Sequence, residues 1–167
     1  MVQVPVIGPA DVEGRLSWTR LVDALEEGHR GSTPEVGDLF LTRGPDVMLS
    51  RAAWLPGQGV GVKSVTVMPG NAEAGRPTVH GAMVIFDDQT GEVRAVIDSA
   101  LITYWKTAAD SALGARLLAR GDATRLLILG AGTVARSLIE AYPAVLPGLE
   151  EIAVWNRTPA RAEALAA

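Results

Sequence analysis

The chain contains no cysteine, which excludes disulfides, CxxC redox chemistry and thiolate metal sites. It has little histidine: His29 and His80 are far apart and show no ligand spacing, so no metal site is expected. It lacks an excess of positive charge. The formal net charge of −4 gives no support for nucleic-acid binding. No apolar run approaches the roughly 18 residues of a membrane helix. The opening stretch, MVQVPVIGPADVEGR, has no basic region followed by an apolar one, so no signal peptide is expected and the chain reads as cytoplasmic. Lysine is the scarcest charge of all. The 15 basic residues are 13 arginines plus two lysines, Lys63 and Lys106.

What remains is ordinary for a globular protein: 167 residues, 48% hydrophobic and 20% charged, enough for one or two domains. Residues 17–28 read as a helix, with Ser17 as its cap and Leu21, Val22 and Leu25 on its apolar face. Strand-like runs follow at 38–42, 46–50, 59–68, 78–86 and 92–98. The turn Asp87-Asp88-Gln89-Thr90-Gly91 makes the last two a hairpin. The character then changes. Residues 107–120 read as a helix opened by a Thr107/Asp110 capping box and ended by Gly121. A strand is expected at 125–129, a helix at 133–142, a strand at 151–155, and a further helix opening at Pro159. This order, β-α-β-α, begins a parallel doubly wound sheet. Two parallel strands do not complete such a domain, so the chain is expected to be part of a longer protein. The fold class is therefore α/β: a strand-rich α+β domain over residues 1–120, then the first half of a Rossmann-type domain over 121–167.

The stretch LLILGAGTVARS places Gly130, Gly132 and Ala135 as G-A-G-x-x-A after a strand and at the start of a helix. The first glycine permits the tight turn, the second lets backbone approach a pyrophosphate, and the small third residue lets helix and strand pack closely. The helix start offers N–H groups and a positive dipole end to phosphates. The candidate cofactor residues here are Gly130, Ala131, Gly132, Thr133 and Val134. At the tip of the second strand, Asn156-Arg157-Thr158 stands where an NAD-binding protein would carry a carboxylate for the ribose 2′-OH. Arg157 suits a 2′-phosphate, so NADP(H) is favoured and NAD(H) remains possible.

Three stretches together resemble the ornithine cyclodeaminase/mu-crystallin family: GVKSVTVMPGNAEAGRPTVHGAMVIFDDQTGEVRAVIDSALITYWKTAADSALGARLLAR, LLILGAGTVA and VWNRTPARAEAL. The match runs from about Gly59 to the end, while residues 1–45 match loosely. The resemblance implies a substrate and dimerisation domain, a nicotinamide dinucleotide cofactor, a homodimer, and chemistry at the α-carbon of amino or imino acids. It places Lys63 on the family's active-site lysine. A position that must give and take a proton needs an amine, because guanidinium does not deprotonate at useful pH. A desolvated amine near other cations titrates low enough to serve as acid or base.

Lys106, in Trp105-Lys106-Thr107, falls where the family has an arginine that binds the substrate carboxylate at a helix start; lysine can hold a carboxylate only as a point charge. A second carboxylate-binding arginine is expected at Arg43, with Arg51 as the alternative. Thr78 and His80 are further candidates to touch the ligand, and the resemblance also implies an aspartate from beyond residue 167.

Three readings follow. The first is an NAD(P)H-dependent reductase of a cyclic imino acid such as Δ1-pyrroline-2-carboxylate. The second is an ornithine cyclodeaminase that recycles a bound NAD and releases proline and ammonia. The third is a non-catalytic NADP(H)- or ligand-binding protein of mu-crystallin type.

Overall fold

The structure is a computed structural model that describes residues 3–167. The elements run in chain order as β1 (Val6–Ile7), α1 (Pro9–Val12), α2 (Trp18–Arg30), β2 (Glu35–Arg43), β3 (Asp46–Leu55) and β4 (Gly59–Val67). A 3-10 turn (Pro69–Ala72) leads to β5 (Val79–Phe86), β6 (Val93–Asp98), α3 (Ser99–Leu118), β7 (Arg125–Leu129), α4 (Thr133–Val145), β8 (Glu151–Trp155) and α5 (Pro159–Ala166). The chain forms two compact units. One comprises the residues up to Glu13 together with Gly31–Ile102, and the other Gly14–Arg30 together with Thr103–Ala167. The compact units thus cut the chain through α3 and not at residue 120, and α2 belongs with the C-terminal part.

The first unit is a six-stranded sheet in the order β1-β6-β5-β4-β3-β2. β2 to β6 form an antiparallel meander, and β1 adds in parallel to β6. The β5–β6 turn forms as its residues dictate. Asp87 Oδ1 accepts from the N–H groups of Gln89 and Thr90 at 3.0 and 2.9 Å, and Gly91 takes the left-handed φ of 69°. Asp88 joins this turn to the neighbouring one: its carboxylate accepts from Trp54 Nε1 at 2.8 Å and from Gly57 N at 2.9 Å. Strand β2 is exposed along its whole length, and Val36, Leu39, Phe40 and Leu41 are each more than half exposed.

The second unit packs α2, α3 and α4 around Val22, Ala108, Ala109, Ala112, Leu113 and Ala141, bordered by Trp18, Leu21, Leu25, Leu138 and Val145. The run of alanines on α3 is fully buried, which lets helix backbones approach closely. Arg116 on α3 donates to Asp23 Oδ1 at 2.6 Å and also pairs with Glu26, tying α3 to α2. Strands β7 and β8 pair in parallel through the crossover helix α4.

Helix α3 differs from its expectation. It starts at Ser99, well before residue 107, and its cap is Asp98, whose Oδ1 accepts from Leu101 N at 2.9 Å. The Thr107/Asp110 capping box does not form. Thr107 lies mid-helix, its carbonyl accepting from Ser111 Oγ, and Asp110 pairs with Lys106 one turn back. Lys106 is therefore a mid-helix residue and not one at a helix start. Among the described residues no helix is long and apolar enough to cross a membrane.

Candidate active site and dinucleotide loop

In the sheet unit, register decides which side chains meet. Lys63 on β4 lies directly opposite Arg51 on β3 and Met83 on β5. Arg51 in turn lies opposite Asp38 on β2, and Met83 opposite Ile97 on β6. Side chains at paired positions share a face, so Asp38, Arg51, Lys63, Met83 and Ile97 form one row across the sheet. Lys63 is half-buried. Arg51 grips Asp38 with both prongs, Nε to Oδ1 and Nη2 to Oδ2, each at 2.6 Å. This pairing holds the Asp38 carboxyl below the usual carboxylate range, chiefly through the hydrogen bonds from Arg51. The guanidinium keeps further N–H groups for an anion.

The other expected substrate residues fall elsewhere. His80 lies opposite Thr66, three residues along β4 from Lys63, and so on the opposite face of the sheet. The sheet does not bring His80 to Lys63. Arg43, at the β2–β3 turn, pairs with Asp46 at 2.9 Å and is exposed. Its odd position on β2 also puts it on the face away from Lys63, because Asp38 carries the even one. Arg51, not Arg43, is the arginine that shares the lysine's face. Thr78 precedes β5, half-buried, with its carbonyl accepting from Met68 N at 2.7 Å. Lys106, in the second unit, is exposed and pairs with Asp110.

In the second unit, the loop after β7 has the geometry that G-x-G-x-x-A requires. Gly130 has φ 116°, in the region that favours glycine, and its N–H donates to the Trp155 carbonyl at 2.7 Å. A Cβ at Gly130 or Gly132 would meet no atom within 4 Å, so the room above this backbone is left open. Gly132 caps α4 in extended conformation, and Ala135 is buried against the strand layer. The N–H groups of Thr133, Val134 and Ala135 start the helix without intrahelical partners. Ala131, Gly132 and Thr133 line an open cavity of about 430 Å³. Val134, Gly130 and Gly132 line a second one of about 290 Å³. At the end of β8, Asn156 Nδ2 donates to the Thr158 carbonyl at 2.9 Å, shaping the turn, and Thr158 is the residue before α5. Arg157 is exposed at this tip. These residues fit a dinucleotide phosphate: a glycine turn that stays empty, a helix start, and a cation at the second strand tip.

The sequence reading overlooked Arg136 and Arg161, which line the 430 Å³ cavity together with the glycine loop. The signal for Arg161 was its place in the first turn of the helix that Pro159 opens; nothing local pointed to Arg136.

A meander sheet carrying a lysine–arginine row, joined to a β-α-β-α unit with a glycine turn, defines a two-part α/β protein of dinucleotide-binding type. The chain belongs to the ornithine cyclodeaminase/mu-crystallin family, whose model matches residues 11–167. A Delta(1)-pyrroline-2-carboxylate reductase of Paracoccus denitrificans (strain Pd 1222) is 53% identical over 93% of this chain and 49% of its own length. Among solved structures, a lysine cyclodeaminase studied for recognition of L-lysine, L-ornithine and L-2,4-diaminobutyric acid is 32% identical, with TM-score 0.77, over 99% of this chain and 52% of that one. A Thermococcus litoralis Delta(1)-pyrroline-2-carboxylate reductase, in complex with NADH and L-proline, shares the fold with TM-score 0.85 at 24% identity, over 98% of this chain and 52% of that one. The chain thus spans about half the length of the proteins it matches.

Proposed function

We propose that the protein is an NAD(P)H-dependent reductase of a small cyclic imino acid, Δ1-pyrroline-2-carboxylate or a close ketimine. The observation that carries this reading is the Asp38–Arg51–Lys63 row: a half-buried amine beside a guanidinium already fixed by a carboxylate. Family membership and the 53% identical pyrroline-2-carboxylate reductase support it. In this reading residues 1–120 are the substrate and dimerisation part, with α3 as the helix that links it across the compact-unit division to the start of the cofactor domain, 121–167.

In this reading Arg51 binds the substrate carboxylate through the N–H groups that Asp38 does not occupy. Bound this way, the ring of the imino acid lies over the adjacent β4 position. Lys63 Nζ then protonates the imine nitrogen, or takes that proton back in the reverse direction. A nicotinamide held by the glycine loop would supply the hydride for the substrate α-carbon. One hydride at carbon and one proton at nitrogen convert C=N to CH–NH. Lys106 is a second candidate for the carboxylate. Its present partner, Asp110, is one helical turn away and exposed, and such a pair is weak enough to be exchanged. Gly130, Ala131, Gly132, Thr133 and Val134 hold the pyrophosphate, and Asn156, Arg157 and Thr158 favour NADP(H) over NAD(H). The protein acts as a cytoplasmic homodimer; the exposed apolar residues of β2 support a second copy as its partner.

The second reading is an amino-acid cyclodeaminase, favoured by the 32% identity to the lysine cyclodeaminase. The two separate cleanly. The reductase oxidises NADPH or NADH stoichiometrically with Δ1-pyrroline-2-carboxylate, read at the nicotinamide absorbance. The cyclodeaminase releases ammonia from ornithine with only catalytic dinucleotide. Ammonia release without net cofactor oxidation would replace the first reading by the second. Dinucleotide binding with turnover of neither substrate would favour a binding protein.

A further inference from the structure

The row across the sheet changes character from one end to the other. Asp38 and Arg51 are charged, Lys63 carries the amine, and Met83 and Ile97 are apolar. Lys63 thus has a guanidinium on the neighbouring strand to one side and a thioether on the neighbouring strand to the other. The rows that flank it on the same face are unlike in size. One holds Leu49 on β3 and Val65 on β4, and the other holds Ala53 and Gly61 at the same strands. The face therefore dips beside Lys63, at Gly61. Met83 leans into that dip: a Cβ at Gly61 would meet Met83 Cε at 2.7 Å and Ile85 Cδ1 at 3.7 Å. The Met83 methyl occupies the space that a side chain at residue 61 would take. Met83 is half-buried, and its unbranched side chain can yield where a branched one could not.

We infer that Met83, seated over Gly61, sets the ring size of the imino acid that the protein accepts. The inference rests on the reductase reading above and adds the residue that measures the substrate. A cyclic imino acid has its parts in the same order as the row: a carboxylate, then the C=N group, then ring methylenes. With the carboxylate on Arg51 and the nitrogen at Lys63, the methylenes fall toward Met83, one strand further on. Neighbouring strands are about 4.8 Å apart, so the Met83 side chain stands close to contact distance from a ring held over β4. A five-membered ring fits with the methyl in place. A six-membered ring brings one more methylene and must push the methyl aside. One methylene in an apolar seat is worth about 10- to 200-fold in discrimination.

The test compares kcat/KM for Δ1-pyrroline-2-carboxylate, the five-membered ring, with kcat/KM for Δ1-piperideine-2-carboxylate, the six-membered one, at saturating dinucleotide. Wild type should favour the five-membered ring. Met83→Ala should swing the ratio toward the six-membered ring by about tenfold or more. Gly61→Ala should act in the opposite sense, because its methyl drives Met83 Cε into the seat; the six-membered ring should lose about tenfold relative to the five-membered one. Val84→Ala, on β5 but facing away from Lys63, should leave the ratio within about twofold, and thermal unfolding checks the fold of each variant. Affinities for L-proline and L-pipecolate, the two reduced rings, titrated onto the dinucleotide-bound protein, should shift in the same directions. Equal losses for both rings in Met83→Ala would overturn the inference, because Met83 would then only pack the sheet. A ratio unmoved by Met83→Ala and Gly61→Ala, or a wild-type preference for the six-membered ring, would overturn it while the reductase reading stands. If wild type reduces neither ring, both fail together.

Discussion

Three arginines of the sheet and three around the glycine loop are partnered differently. In the sheet, Arg43, Arg51 and Arg94 are each matched to a nearby aspartate. Around the glycine loop, Arg136, Arg157 and Arg161 have no carboxylate partner among the described residues. A matched guanidinium has its direction fixed before ligand arrives, so it can place a small substrate beside a reacting amine. An unmatched group of them is a field waiting for a multiply charged anion. On the proposed function, the contrast between these six side chains suits a division of labour, with orientation at the sheet row and charge recognition beside the loop.

Substitution at the amine of the sheet row gives the largest expected effect. Lys63→Met should lower kcat by roughly 10² to 10⁴, the usual range for losing a general acid or base. Dinucleotide affinity should stay within about twofold, because the loop unit holds it. A Lys63→Met protein that still turns over at the wild-type rate would remove the sheet from the chemistry altogether. The mirror experiment is Gly130→Val. A φ of 116° strains any β-branched residue, and the side chain would fill the space the loop leaves open. Nucleotide binding should drop below detection, with thermal unfolding of the sheet unit unaffected.

Next comes the orientation step. Asp38→Asn and Arg51→Lys should each raise KM for the imino acid about tenfold and change kcat less, since both spoil the fixed fork. Arg43→Ala should leave KM within about twofold; if it exceeds Arg51→Lys, the choice between the two arginines has been made wrongly. The pair also carries a pH signature. The Asp38 carboxyl is held low in the folded chain, so its contribution to stability is present above the ordinary aspartate value of about 3.9 and is lost as pH falls through the lower folded value. Acid unfolding of Asp38→Asn should therefore lack that component. The group is exposed at the surface, so the difference will be small.

What the sequence showed and what it hid follow from the same physics. Strands β7 and β8 coincide with the expected 125–129 and 151–155, because each is a short apolar run closed by glycine or turn residues. Pro159 begins α5 as its fixed φ favours. The glycine turn was legible because few residue patterns produce it. Side-chain facing in the sheet was not. One residue of register moves a whole strand to the other face, and nothing local in Arg43, Arg51 or His80 reports it. The start of α3 was missed because Ile102, Thr103, Tyr104 and Trp105 suit a strand as well as a buried helix. The signal was Asp98, whose side chain caps the first turn of this helix. Helix α4 runs to Val145 through Pro143, although a proline normally argues for ending before it.

The smallest expected effect sharpens the picture of the loop unit, where α3 is tied to α4 by Tyr104. Its O–H donates to Glu140 Oε1 at 2.6 Å, and the ring stands against Trp18 and Trp105. Burial, and then the bond to Glu140, push the phenol up to about 12 from its ordinary value of 10.0. The folded chain thus holds this proton more tightly than the unfolded one. The resulting stability is complete below pH 10 and fades as pH rises through 12. Tyr104→Phe should cost about 0.5–1.5 kcal/mol near neutral pH, the ordinary worth of one such hydrogen bond. Its alkaline unfolding should also lose the component between those two values. Subtracting the phenolate absorbance titration of Tyr104→Phe from that of wild type isolates this one ring. A difference curve centred near 10 would mean that the bridge between α3 and α4 does not form in solution. The cationic wall of the loop unit would then rest on a looser helix layer than the packing of α2, α3 and α4 implies.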